Sequence, residues 1–306
     1  MLTELLLLML CAQGPALPPT LEHLAPVVGQ ESAFVDALRA ADKLCQQRAR
    51  LANARADIEE RAGNATAAET LRREARESFD ALRQAYEFGL HRYGANARLR
   101  TYYGELLYDR YGDAAGAVAS WTKAISLDGG NAAAYNNFGM HLCRTGQVRL
   151  GLDYMDRAVE LAPKSAEFIC NLSQIYLNIP EAVGGAREWK KDRVYKEAMK
   201  LLERAVRLAP GDFELLQDYA VNFFAAEQFG VTPDWTRAAA AWRQARPCAR
   251  DRNEVFFTWL NEGRAWIWAG QDARAERTLA ESLRRHPGND SARTLLEGLR
   301  RGEPIR

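Results

Sequence analysis

The chain has 306 residues, of which 47% are hydrophobic and 26% charged, and its formal net charge is +1. This composition is ordinary for a folded protein that buries a large core. A net charge so close to zero argues against nucleic acid or an anionic membrane as the main partner. No apolar run in the sequence reaches the roughly 20 residues that are needed to span a bilayer.

The first thirty positions differ from the rest of the chain. An uninterrupted apolar run from Leu5 to Ala12 predicts a signal peptide over 1–16, followed by an irregular, proline-containing lead-in over 17–30. Such a segment directs export, so a periplasmic or secreted protein is favoured over a cytoplasmic one. Glu4 stands where a signal peptide carries Lys or Arg, which leaves a misplaced start as an alternative, and Cys11 leaves a lipoprotein as another.

Positions 31–96 predict a long antiparallel helical hairpin. Apolar residues recur at spacings of three and four on both sides of a break at Gly63-Asn64, so each helix has one apolar face. The hairpin is expected to cover the first end of a stack of repeats, since such stacks need terminal caps with a polar outside. The residues of the two faces are Phe34, Leu38, Ala41, Cys45 and Ala52, then Ala68, Leu71, Ala75, Phe79, Leu82 and Tyr86.

The stretch 132–165 contains one complete helix–turn–helix repeat of about 34 residues. Large residues alternate with small ones at helical spacing, a glycine marks the turn, and a proline closes the second helix. Small residues at the crossing let two helices approach closely. The residues that carry this pattern are Tyr135, Phe138, Gly139, Leu142, Gly146, Gly151, Leu152, Met155, Ala158 and Pro163.

The neighbouring segments 97–131, 166–212, 213–247 and 256–289 repeat the same marks, and Gly112 and Gly270 are turn glycines like Gly146. The order of large, small and turn residues resembles the tetratricopeptide repeat. This resemblance implies an all-α, right-handed α-solenoid of about five helical hairpins over 97–289, capped by a C-terminal helix in 290–306. Proteins of this family bind other proteins, so the resemblance also implies a protein or peptide partner.

Two repeats are longer than the pattern. The third gains about 13 residues between Asn178 and Ala198, and the fourth gains about six around Phe229 to Thr236. Both insertions fall between the two helices of a repeat, where they could form a secondary loop surface on one edge of the stack. Tolerated, functionless loops are the alternative. The candidate contact residues of this surface are Trp189, Lys190, Lys191 and Trp235.

Four equivalent positions in successive repeats carry Asn137, Asn171, Asp218 and Asn261. In the resembled family the first helix of each repeat lines a concave groove, which would stack these side chains into a ladder. Carboxamides donate and accept at once, as an extended peptide backbone requires. The arrangement resembles the asparagine ladder of protein O-linked N-acetylglucosamine transferase, although asparagine is common at this place in the repeat in any case.

Other groove-facing residues would add selectivity for the peptide's side chains. Neighbouring places in the repeats hold Asn136 and Met140 where the heat-shock chaperone adaptors of the family combine lysine and asparagine, so their carboxylate clamp is not expected. One repeat also resembles pilus-assembly lipoproteins, which hints at a bacterial envelope protein. The selectivity residues are Met140, Arg144, Phe224 and Arg264.

No catalytic, metal or cofactor site is predicted. The four histidines are scattered, and no phosphate-binding glycine loop, nucleophile elbow or Cys-x-x-Cys pair occurs. We therefore expect a non-enzymatic scaffold that binds an extended peptide segment in its groove. The alternatives are an envelope assembly or structural factor acting through its outer surface and inserted loops, and an enzyme with an unfamiliar site. The sequence names neither the partner nor the oligomeric state.

Overall fold

The computed structural model describes Leu21, residues 24–25 and residues 27–303. The predicted signal peptide, half of the lead-in and the last three residues lie outside this part of the chain. The structure divides into two compact units between Phe138 and Gly139. The helices of the described residues are, in chain order, α1 (Glu31–Arg61), α2 (Ala65–Arg92), α3 (Ala97–Leu106), α4 (Ala114–Leu127), α5 (Ala132–Arg144), α6 (Val148–Leu161), α7 (Ala166–Asn178), α8 (Pro180–Arg187), α9 (Lys191–Leu208), α10 (Phe213–Val221), α11 (Trp235–Ala245), α12 (Arg252–Trp268), α13 (Asp272–Arg285) and α14 (Asp290–Arg301).

The first unit begins with the long hairpin of α1 and α2. Gly63 takes a φ of +84° between the two helices, a conformation that favours glycine. The predicted apolar faces meet, and Phe34, Leu38, Leu82 and Tyr86 are all at most 1% exposed. Burial of four such side chains, each contributing about 1.5–3 kcal/mol, makes this face the core of the hairpin.

The first repeat pairs α3 with α4, and the chain between them contains a turn of π-helix, Leu107–Tyr111. This wider turn accommodates the one residue by which the repeat exceeds its neighbour. Gly112 ends the π-turn with a φ of +63°, as a turn glycine does. Gly104 lies so close to Trp121 that a Cβ atom on residue 104 would be only 2.5 Å from the indole nitrogen.

The hairpin of α5 and α6 turns at Gly146, whose φ is +88°. Its helices cross at a pair of glycines, as the small-residue pattern predicts. A Cβ atom on Gly139 would lie 2.8 Å from the carbonyl oxygen of Gly151, and one on Gly151 would lie 2.7 Å from that of Gly139. Backbone therefore packs directly on backbone at this crossing.

The longer insertion, in the third repeat, is not a loop. It folds as α8, which packs against α6, α7 and α9 and buries Val183 completely. Pro180 occupies the first turn of α8, where its missing N–H is not needed. The pair Gly184-Gly185 lies inside this helix, and Glu188 ends it with a φ of +58°.

In the fourth repeat, a 3-10 helix, Asn222–Phe229, extends α10 and ends at Gly230 with a φ of +71°. The shorter insertion, around Phe229 to Thr236, follows it as an irregular segment that leads into α11. Beyond it, α12 packs against both α11 and α13, and α14 packs against α12 and α13. Helix α12 begins at Arg252, before the predicted start of the last repeat at Phe256. Because α11, α13 and α14 all contact α12, the different faces of α12 lie in different parts of the structure.

The four cysteines of the described chain, Cys45, Cys143, Cys170 and Cys248, are free thiols, and Cys143 is buried. Burial raises the pKa of both Cys143 and Cys170 to about 11. They therefore remain protonated near neutral pH and pack as small apolar groups. No helix of the described residues combines the length and the apolar character that a bilayer span requires.

Candidate functional site

In the first unit, the side chain of Asn137 is bonded to neighbours in its own chain. Its Nδ2 donates to Glu105 Oε1 at 2.9 Å, and its Oδ1 accepts from Asn136 Nδ2 at 3.0 Å. The other oxygen of Glu105 accepts from Arg39 at 2.7 Å. Burial raises the pKa of Glu105, whereas the charge of Arg39 and the hydrogen bond from Asn137 lower it. Asn137 thus helps to keep a partly buried carboxylate ionised.

This contact predicts the effect of Asn137→Ala. We expect the pKa of Glu105 to rise further, because the carboxylate loses a donor, and the free energy of unfolding to fall by about 1–3 kcal/mol. The pKa can be followed by NMR titration of the Glu105 side-chain carbonyl, and the stability by urea unfolding. The exposed Asn178→Ala is the control and should change neither. An unchanged pKa of Glu105 would show that Asn137 does not stabilise this carboxylate.

The other three ladder positions lie in the second unit, on α7, α10 and α12. Asn171 is half-buried. Asp218 accepts from Gln174 Nε2 at 3.1 Å, and burial raises its pKa. Asn261 is only 4% exposed, its Nδ2 donates to the carbonyl of Phe257 at 2.9 Å, and its Oδ1 accepts from Arg264. Of the four, Asn261 is the least accessible to a ligand.

Phe224, predicted in the groove, and Trp235, predicted on the loop surface, belong to one cluster of aromatic rings. Phe224, from the 3-10 helix, lies 5.4 Å from the ring of Trp235 and 5.2 Å from that of Trp268. The two indoles are 4.7 Å apart. All three side chains are half-buried, so the cluster keeps part of its aromatic surface open to solvent.

Arg264 lies on this aromatic cluster. Its guanidinium carbon is 5.1 Å from the ring centre of Trp268 and 5.7 Å from that of Phe224. Among the described residues it has no carboxylate within ion-pair distance, and its one hydrogen bond goes to Asn261. Such stacking holds the planar cation in place and leaves N–H groups for an external acceptor.

The guanidinium of Arg264 borders an open cleft of about 450 Å³ between α12 and α14. Both apolar and polar groups line it, which suits a ligand that has both an apolar side chain and acceptors. The residues that line the cleft are Leu260, Arg264, Trp268, Asp290, Ser291, Thr294 and Leu295. We call this the α12–α14 cleft.

The remaining predicted selectivity residues lie elsewhere in the second unit. Met140 is half-buried and packs against the apolar cluster that contains Cys143 and Met155. Arg144 is exposed at the end of α5. Neither residue is among those that line the α12–α14 cleft.

The predicted secondary loop surface is divided by the structure. Trp189 packs edge-on against Tyr176 at 5.9 Å, with Arg193 stacked on it at 4.7 Å. Lys190 is exposed beside it, and Lys191 forms an ion pair with Glu181 at 2.8 Å. Trp235, in contrast, belongs to the aromatic cluster. Trp268, which completes that cluster, was not singled out by the sequence analysis, although it stands one helical turn after Arg264.

No family model and no curated protein matches the sequence. Solved structures do resemble it. The C-terminal part of a TPR repeat-containing protein from Cytophaga hutchinsonii has a TM-score of 0.51 and 17% identity, over 85% of this chain and 99% of that one. YrrB, a TPR protein with an unusual peptide-binding site, has a TM-score of 0.49 and 15% identity, over 70% and 99%. PilW, a type IV pilus biogenesis factor, has a TM-score of 0.49 and 15% identity, over 81% of this chain and 98% of that one.

At such identities the similarity shows the fold alone, and the comparison of folds rests on the Cytophaga structure. Together with the helical hairpins, the turn glycines and the glycine crossing of α5 and α6, it confirms the predicted all-α fold. The number of repeats and the domain boundaries stay predictions. This chain has the fold of tetratricopeptide-repeat proteins.

Proposed function

We propose that the protein is a non-enzymatic interaction scaffold that holds an extended segment of a partner protein in the α12–α14 cleft and on the adjoining aromatic cluster. The observation that supports this proposal is the position of Arg264, stacked on Trp268 and Phe224 without a carboxylate partner among the described residues. Aromatic residues and arginine at the edge of a cleft are the side chains that contribute most to protein interfaces.

The chemistry of the cleft indicates what the segment contains. A carboxylate would accept charge-assisted hydrogen bonds from the free N–H groups of Arg264. An apolar or aromatic side chain next to it would bury the open faces of Trp268 and Leu295. Asn171 and Asp218 remain candidates for contacts with the peptide backbone, whereas the side chain of Asn137 is already bonded to Glu105.

Selection of displayed random peptides on the purified protein tests the proposal. We expect the wild-type protein to enrich peptides that combine an acidic residue with a large apolar one. The variants Arg264→Ala and Trp268→Leu should lose at least tenfold in affinity for the enriched peptides, while their circular dichroism stays unchanged. The matched control is Lys190→Ala/Lys191→Ala on the secondary loop surface.

The control also tests the alternative in which the protein acts through its inserted segments. If the lysine variant loses the enriched peptides and the Arg264→Ala variant keeps them, the binding site is not the cleft. Enrichment of peptides without acidic residues would likewise contradict the role of Arg264.

A further inference from the structure

The face of α12 opposite the cleft carries a second group of aromatic and charged side chains. Trp259, Glu262 and Trp266 follow at spacings of three, four and seven, so they share one face of the helix. Trp268 is two residues beyond Trp266 and therefore points to the other side, toward the cleft. The face with Trp259 and Trp266 lies toward α11 and α13, which both pack against α12.

Each of these two indoles is flanked by two arginines. The guanidinium carbons of Arg243 and Arg274 lie 5.7 and 4.8 Å from the ring centre of Trp266. Those of Arg246 and Arg285 lie 3.3 and 5.7 Å from the ring centre of Trp259. We call this group the arginine seam. Its members are Arg243, Arg246, Trp259, Glu262, Trp266, Arg274 and Arg285.

Carboxylates of the chain do not balance the charge of the arginine seam. Glu262 accepts from both Arg243 and Arg246. Glu281 accepts from Arg285 but also from Arg284, both at 2.6 Å. Arg274 is exposed and has no carboxylate within ion-pair distance in the described structure. Four guanidiniums, those of Arg243, Arg246, Arg285 and the adjacent Arg284, therefore share two carboxylates, and that of Arg274 has none, in a chain whose formal net charge is only +1.

Neighbouring arginines contribute to the pKa shifts of two groups in this region. Burial lowers the pKa of Arg246, and the neighbouring charges of Arg243 and Arg285 lower it further. Hydrogen bonds from Arg284 and Arg285 lower the pKa of Glu281 to about 2. Burial is the largest cause of the shift of Arg246, whereas neighbouring arginines are the cause of the shift of Glu281.

We propose that the arginine seam is a second docking surface, independent of the α12–α14 cleft, and that it binds a short acidic segment of a partner protein. Eleven helical positions separate Arg274 from Arg285, which is about 16 Å along α13. An extended chain covers that length in about five residues. Arginines that are stacked on indoles are already ordered, so they lose less freedom when a carboxylate binds them.

The extent of the arginine seam favours a peptide over a nucleic acid. A nucleic-acid footprint is a broad basic face of a basic domain, whereas this seam is a narrow strip on a nearly neutral chain. Carboxylates on one short segment suffice to neutralise the excess charge. Inorganic phosphate is therefore a competitor in the test and not the expected ligand.

The test measures binding of a fluorescently labelled pentaglutamate peptide by anisotropy at low ionic strength. We expect the double variant Arg274→Gln/Arg285→Gln to bind at least tenfold more weakly than the wild type. Arg50→Gln/Arg55→Gln removes the same charge from exposed positions of α1 and should bind within twofold of the wild type. Arg264→Ala should also keep the binding, which separates this proposal from that of the cleft.

Four results would overturn the proposal. The first is that the wild type does not bind pentaglutamate, and the second is an equal loss of affinity in both arginine double variants. The third is that Arg274→Gln/Arg285→Gln keeps its affinity for the peptide while Arg264→Ala loses it. The fourth is displacement of the peptide by inorganic phosphate at an equal concentration of negative charge. The first would mean that the excess charge binds no acidic peptide, and the second would mean attraction by net charge alone. The third would place the peptide in the cleft, and the fourth would indicate a simple anion site.

Discussion

Replacing Gly151 by alanine is expected to lower the free energy of unfolding by about 1–3 kcal/mol. The new Cβ atom would lie 2.7 Å from the carbonyl oxygen of Gly139 and 2.8 Å from the amide nitrogen of Cys143. Both atoms are backbone, so no side-chain rotation can relieve the overlap, and α5 and α6 must move apart. Urea unfolding followed by circular dichroism measures the loss.

Gly185→Ala is the matched control for this prediction. Gly185 also lies inside a helix, but a Cβ atom there would meet nothing within 4 Å. Alanine should leave the stability unchanged or raise it by up to about 1 kcal/mol, because glycine is the poorer helix former. If Gly151→Ala were as stable as the wild type, the close crossing of the two backbones would be incorrect.

The repeat architecture was predictable because its signals are local. Gly112, Gly146 and Gly270 stand between pairs of apolar-periodic segments, and all three take a positive φ in the structure. Gly139 and Gly151 similarly mark a helix crossing, since only a missing side chain lets two backbones approach so closely. In these cases the glycine itself indicates the local geometry, which is a positive φ at a turn or a close approach of two helices.

Helix α8 was not predictable from the same signals. Eight residues with Pro180 at the start and Gly184-Gly185 near the end resemble a loop, because proline and glycine are both poor helix formers. The helix forms since Val183 is buried against its neighbours and Gly184 lies close to the carbonyl of Trp189. These are tertiary contacts, which local periodicity does not contain.

The candidate site was predicted in pieces. Phe224 and Arg264 were expected in the groove and Trp235 on a separate loop surface, yet their rings and guanidinium form one cluster with Trp268. The spacing of four between Arg264 and Trp268 was a usable signal for part of it. The position of Trp235 depends on the path of the inserted segment around Phe229 to Thr236, which has no equivalent in the repeat pattern.

Replacing Glu262 by alanine is expected to have the largest effect on stability, a loss of about 3–5 kcal/mol. The side chain of Glu262 is only 3% exposed, and it accepts hydrogen bonds from Arg243, Arg246 and the indole N–H of Trp266. Without it, the largely buried guanidinium of Arg246 would keep its charge beside the positive charge of Arg243. An unpaired buried charge costs more than the loss of an exposed ion pair.

Two further variants decide whether burial is the cause of that loss. Glu281→Ala also removes a carboxylate shared by two arginines, but water screens this exposed site, so its effect should be much smaller. Glu262→Met combined with Arg246→Met should recover much of the stability, because an apolar pair replaces a buried ion pair without leaving a charge behind. Thermal and urea unfolding of all three proteins provide the comparison. Equal losses in Glu262→Ala and Glu281→Ala, or no recovery in the double variant, would mean that the buried charge on Arg246 does not determine the stability of the α11–α12 contact.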